Sequence, residues 1–128
     1  MKNLPSILIA ALLALFLIGE ISAAGNSGNT EPGNAIAFMA EAIKHAEMAK
    51  THKAHAEHIH KHAEASLEYV KKVEAEAIEN ENSEGRVHIT ESIRHLVEAI
   101  NHAKAGHADI ASEHVTDALE EMRQFTTR

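Results

Sequence analysis

The feature that most limits what this chain can fold into is that it repeats itself. Glu41-Ala-Ile-Lys-His45 returns 50 residues later as Glu91-Ser-Ile-Arg-His95, and His52 returns as His102. His55-Ala-Glu57 then matches His107-Ala-Asp109, and His62, Leu67 and Glu68 match His114, Leu119 and Glu120, now at an offset of 52. A repeat of this length is one supersecondary unit used twice. From Ala35 to about Glu79 there is no glycine or proline, and strong helix formers dominate. Asn80 to Gly85 reads as a break, and from about Arg86 the helical pattern resumes to Gln124. Gly106 stands where a helix C-terminus takes a glycine. No stretch alternates with period two, so strands are not expected.

Apolar residues recur at threes and fours: Ile36, Met39, Ile43; Ile59, Ala63, Val70, Val73; Ile89, Ile93, Leu96, Ile100; Val115, Leu119, Met122. That is the seam of a bundle. The expected fold is all-α, a four-helix up-down bundle made of two duplicated helical hairpins. The change of offset carries a competing arrangement. The second half has Ala103-Lys-Ala-Gly106 between His102 and His107, whereas the first has only Lys53 and Ala54 between His52 and His55. Local chemistry there supports one long helix from Ala35 to Glu79. Such a helix cannot fold back on its own core, so that arrangement favours a dimer; the bundle is expected to be a monomer. The seam is rich in alanine and only 3% of the chain is aromatic, so apolar burial is modest and the metal-free fold is expected to be marginally stable.

The chain begins like a secretory signal peptide. Lys2 supplies a positive start, Ile7 to Ile18 is almost continuously apolar, and Ser22, Ala23 and Ala24 offer small residues for cleavage before Gly25. The run is short for a membrane anchor and Glu20 closes it. The expected organisation is a signal peptide over 1–24, a flexible leader over 25–34 and a histidine-rich helical domain over 35–128, located in the periplasm with no membrane attachment after cleavage. There is no cysteine, which excludes disulfides, thiolate zinc sites, iron–sulfur clusters and a lipid-modified N-terminus. Net charge is −7, with a single tyrosine and no basic stripe, so nucleic acid is not an expected partner. Cations are.

The residues suited to cations are the 11 histidines. His45 and His52 are seven apart, as are His55 and His62, His88 and His95, His95 and His102, and His107 and His114. Seven residues make two helical turns, so each set lines one side of a helix. On a helical wheel His88, His95 and His102 lie well away from the direction of Ile93, Leu96 and Ile100, which places them toward solvent. His55, His62, His107 and His114 flank the core. In the third helix Glu84, His88, Glu91, His95, Glu98 and His102 alternate at fours and threes. Glu41, His45, Met48 and His52, and His114, Asp117 and Glu121, repeat the idea. A divalent ion on such a ladder could take neighbouring imidazole and carboxylate groups. The bland alternative is helix support by Glu–His pairs, worth about 0.2–0.5 kcal/mol each; lysine would serve that end better at neutral pH. The densest cluster is His52, His55, His58, His60 and His62, in which His60 points away from the other three on its helix.

Nitrogen and oxygen ligands suit Cu(II), Ni(II) and Zn(II), and the Irving–Williams order puts Cu(II) first. Met39, Met48 and Met122 are too scattered for a Cu(I) store. An enzyme is not expected: there is no haem-attachment motif, no nucleophile–base set, and only one Glu-x-x-His, at Glu57 and His60, where a di-iron bundle needs two. The reading is a divalent-metal-binding protein whose uptake needs neutral imidazole. Two alternatives stand beside it: a pH-responsive helical interaction protein, and a copper chaperone.

The leader, the duplicated hairpin, the histidine register and the phrase His102-Ala-Lys-Ala-Gly-His107-Ala-Asp109 together resemble the small metal-binding protein family of the bacterial periplasm. The resemblance covers nearly all of the chain after the leader. It implies a monomeric four-helix bundle that binds several divalent ions, copper foremost, for sequestration or tolerance. The chain departs from the pattern at Phe38, Tyr69 and Glu121, where histidine would continue the heptad series, and in a first hairpin shorter by two turn residues.

Overall fold

The computed structural model describes residues 32–127. The expected signal peptide and most of the leader lie outside the described residues. Four helices follow one another: α1 (Pro32–Thr51), α2 (Ala56–Glu79), α3 (Ser83–Lys104) and α4 (Ala108–Thr126). No strand occurs among the described residues. α1 packs on α2, α2 on α3, α3 on α4 and α4 on α1; α2 and α4 also touch across the diagonal. This is the up-down bundle, and the matching sequence segments fall on the hairpins α1–α2 and α3–α4.

The core contains Met39, Ile59, Val70, Val73, Ile89, Leu96, Val115, Leu119 and Met122 at its centre, with Phe125 near one end. Alanine fills much of the rest: Ala42, Ala46, Ala49, Ala63, Ala99, Ala103, Ala111 and Ala118 are all buried. Small side chains let helix axes approach closely, and that closeness matters for the site. Ser66, fully buried, donates to the Ala42 carbonyl of α1 at 2.8 Å, which satisfies its hydroxyl across the α1–α2 contact. Exposed ion pairs tie Arg123 to Glu47 (2.9 Å) and Lys104 to Glu64 (3.5 Å), each worth at most about 1 kcal/mol.

The single long helix over 35–79 is not formed: the chain reverses between Thr51 and Ala56. No glycine is needed because the reversal is a β-turn, with the His55 N–H donating to the His52 carbonyl at 2.8 Å. His55 is extended at φ −122° and ψ 95°, and α2 starts at the next residue. The α3–α4 turn uses different chemistry. Gly106 has φ +79°, its N–H bonds the Ala103 carbonyl (3.0 Å), and the His107 N–H bonds the His102 carbonyl (2.9 Å). That is a Schellman ending, and its extra residues account for the shift of the repeat offset from 50 to 52.

Two boundaries differ from the sequence reading. α1 begins at Pro32, inside the stretch read as leader, because a proline is well suited to a first helical position. α3 begins at Ser83, inside the stretch read as a break. Asn82 caps it by accepting from the Gly85 N–H at 2.9 Å. Gly85 is therefore helical, and its lack of a side chain is what allows Asn82 and Phe125 to approach: a Cβ there would lie 2.7 Å from the Asn82 amide nitrogen and 3.0 Å from the Phe125 ring.

Candidate metal-binding seams

Because α1 and α2 run antiparallel, as do α3 and α4, residues at heptad spacing on one helix interleave with those on the other. The histidines do so. Along the α1–α2 seam His45 lies 6.0 Å from His62 between ring centroids, and His62 lies 5.9 Å from His52. His52 continues to His58 at 4.9 Å, and His58 to His55 at 5.5 Å. Along the α3–α4 seam the sequence is His95 to His114 (5.8 Å), His114 to His102 (5.4 Å) and His102 to His107 (5.8 Å). Each hairpin thus carries a row of imidazoles drawn from both of its helices; the second alternates strictly, and the first has His58 in addition, next to His55 at the start of α2.

This corrects the helical-wheel reading of α3: His88, His95 and His102 are half-buried on the side facing α4 rather than turned to solvent. His62 and His114 flank the core, His45 and His52 are half-buried as well, and His55, His58 and His107 are exposed. The His88, His95 and His114 side chains are only 13%, 15% and 21% exposed. The wheel was weighted by the large apolar residues, whereas the seam is made by alanines that let two flanking rows meet. The ladder of carboxylate and imidazole along each helix is joined by pairing across helices. His88 Nδ1 meets Glu121 Oε2 at 2.8 Å, His95 Nδ1 lies 3.6 Å from Asp117 Oδ2, and His114 Nε2 lies 3.3 Å from Glu98 Oε2. Glu91 is engaged by Arg94 instead, at 2.8 and 2.9 Å.

Two sets of donor atoms in the second seam lie within reach of a common point: His95, His114 and Asp117, and Glu98, His102 and His114. In each set one ligand atom per residue falls within 4.8 Å of the others. Two imidazoles and a carboxylate suit divalent first-row metals, with water or small adjustments completing the shell. Arg94 borders both sets. Its guanidinium donates to His95 Nε2 at 2.9 Å and lies 3.6 Å from Glu98.

The first seam keeps the imidazoles but lacks the carboxylates. Where Glu98, Asp117 and Glu121 stand in α3 and α4, the repeat puts Met48, Ala65 and Tyr69. The pair corresponding to His88 and Glu121 is Phe38 and Tyr69, whose rings lie 6.4 Å apart. Tyr69 also stacks on His45 at 5.7 Å. His45 Nδ1 is buried with no hydrogen-bond partner among the described residues, so a ring nitrogen there is held from water. His62 has its pKa lowered, first by burial and then by the neighbouring His45 and His52 rings, which keeps it neutral and able to donate a lone pair.

Two histidines stand outside the rows as traced: His88, which meets Glu121, and His60. His60 bonds Glu64 at 2.8 Å on the side facing α3, and that bond, with help from Lys104, holds the Glu64 carboxyl below its ordinary range. His55 and His107 occupy equivalent places, each preceding a helix and each exposed. Glu98 and Asp117 already stand in the ladders read from the sequence; the structure adds that each also reaches a histidine of the opposite helix, and it adds Arg94 beside both sets.

The fold is a four-helix bundle whose imidazole and carboxylate donors converge in two sets between α3 and α4, an arrangement able to hold a divalent ion. A family model described as small metal-binding protein matches residues 1–125, and the chain belongs to that family. No curated protein matches the chain. No helix among the described residues is long and apolar enough to cross a membrane.

Proposed function

We propose that the protein is exported to the periplasm and there sequesters Cu(II), taking Ni(II) and Zn(II) less tightly, as a non-enzymatic store that limits free metal. The observation that carries this reading is the pairing of imidazoles with carboxylates across the α3–α4 seam, where two imidazole–imidazole–carboxylate sets converge. Family membership supports metal as the ligand class. Copper is favoured by ligand chemistry: for nitrogen and oxygen donors the divalent series peaks at Cu(II). Export is favoured by the apolar leader and the small residues before Gly25.

Isothermal titration of the protein at pH 7 with Cu(II), Ni(II) and Zn(II) tests the binding reading. Several ions per chain, with copper displacing the others, is the expected result; copper uptake no greater than that of a histidine-poor helical protein would end it. Mass measurement of the protein from a periplasmic extract tests export, with the chain expected to begin at Gly25.

A second reading has one observation in its favour. His62 is crowded by His45, His52 and His58, so protonation would place like charges together in the first seam. A proton-sensing interaction protein would change oligomeric state between pH 7 and pH 5 without metal and would gain no stability from copper. The sequestration reading requires the opposite on the second point.

A further inference from the structure

The two ligand sets of the second seam are not separate sites, because both pass through His114. The ring lies between them. Its Nδ1 is 3.5 Å from His95 Nδ1, on the side where Asp117 stands. Its Nε2 is 3.3 Å from Glu98 Oε2, on the side where the His102 ring stacks at 5.4 Å. A neutral imidazole has one nitrogen with a lone pair and one with a proton. It can therefore serve the ion on one side or the ion on the other. Two dications flanking one ring would also repel with four times the energy of two unit charges at that separation. Each set supplies a single carboxylate against that repulsion.

Resting on the metal-binding reading above, we propose that the two sets are mutually exclusive. The α3–α4 seam holds one divalent cation through His114, either with His95 and Asp117 or with Glu98 and His102. Once His114 is committed, the other set retains only an imidazole and a carboxylate. The seam is a single slot with two positions, and its capacity is lower than a tally of histidine pairs suggests. His114 is then the residue on which the seam's occupancy depends, while His95 and His102 are interchangeable.

Equilibrium dialysis against Cu(II), with glycine as a competing ligand to strip weakly held ions, tests this on the full chain. The count of copper per chain is compared for the parent, His95→Gln, His102→Gln and the double variant. Exclusive sets predict that each single variant keeps the parent's count and the double variant loses one ion. His114→Gln alone should also lose one. Independent sets would cost one ion in each single variant and two in the double, and that pattern overturns the proposal. So does an unchanged count in the double variant, which would mean the seam holds no copper. Circular dichroism checks that each variant keeps its helices. Asp117→Asn, at an exposed position, and Glu98→Gln, at a half-buried one, are nearly isosteric and give the same comparison if a histidine variant unfolds. A parent that binds no copper at all defeats the metal reading itself and is told apart by the first measurement.

Discussion

Arg94 is the residue whose removal should most improve ion binding. It places a permanent positive charge beside both ligand sets, shares Glu98 and donates to His95 Nε2. While that bond stands, the neutral His95 ring carries its proton on Nδ1, the atom facing Asp117, and an ion must displace it. Arg94→Gln should raise the affinity of the second seam for Cu(II), and the gain should shrink as salt screens the charge; titration at low and at high ionic strength measures it. Two other residues set the pH response of the metal-free protein, with opposite signs. The folded state depresses the His62 pKa, so below about pH 6.5 the unfolded chain binds more protons. Stability from this source is present above the ordinary imidazole range and falls as pH drops toward the lowered value. Glu76 is only 8% exposed, its Oε2 has no partner among the described residues, and burial followed by the nearby Glu79 charge raises its pKa. Here the folded state binds more protons, so stability falls as pH rises from the ordinary carboxylate range through the raised value. Urea midpoints across pH 4 to 8 should show His62→Gln flattening the acid side and Glu76→Gln raising stability at neutral pH. A Glu76→Gln variant less stable than the parent at pH 7 would contradict the assignment.

At the scale of elements the turns are the informative parts. The α2–α3 connection ends α2 in a Schellman arrangement, with the Asn82 N–H on the Ala77 carbonyl at 3.0 Å and the Glu81 N–H on the Ile78 carbonyl at 3.3 Å. The residue in the left-handed region is Glu81, at φ 54°. A side chain there costs about 1 kcal/mol relative to glycine. Glu81→Gly should therefore raise the melting temperature, even though glycine loosens the unfolded chain. Gly106 occupies the equivalent position after α3 at φ +79°, with open space around it. Gly106→Ala should cost about 1 kcal/mol through backbone conformation alone. The site depends on this turn, because it sets the register in which α4 presents His114 opposite His95 and His102. The His52–His55 turn contains no left-handed residue, which is why it needs no glycine and why a search for breakers in the sequence passes over it.

The described helices form two hairpins whose matching positions carry different donors. The first seam is imidazole with Met48 and Tyr69; the second adds Glu98, Asp117 and Glu121. The two seams should therefore differ in selectivity. Carboxylate-bearing sets accept Zn(II) and Ni(II) along with copper, whereas a seam without carboxylates discriminates more sharply for copper. Removing the carboxylates with Glu98→Gln and Asp117→Asn should lower Zn(II) uptake more than copper uptake. Ligand binding to the folded state also stabilises the whole bundle. One site at a hundred times its dissociation constant adds about 2.7 kcal/mol, and an alanine-rich core leaves ample room for that gain to show. Melting should shift upward with copper and return to its starting point when a chelator is added; an unchanged melting temperature would mean that ions bind the unfolded chain equally well.

The sequence by itself determined that the chain is helical and what chemistry the helices carry, while leaving open whether residues 35–79 form one helix or two. Apolar residues at threes and fours, a duplicated register and histidines at sevens are local patterns, and a helix converts such patterns into faces without help from the rest of the fold. Gly106 marked the second turn because a left-handed backbone position has few tenants. Only the tertiary structure decided which faces meet. Buried alanines carry little weight on a helical wheel, yet they bring α1 onto α2 and α3 onto α4 closely enough to set two rows of imidazoles in one groove. That contact gave Glu98 and Asp117 partners across the groove as well as along the helix and placed His114 between two ligand sets. Distances between helices are fixed by packing, and packing is not written in the spacing of residues along one of them.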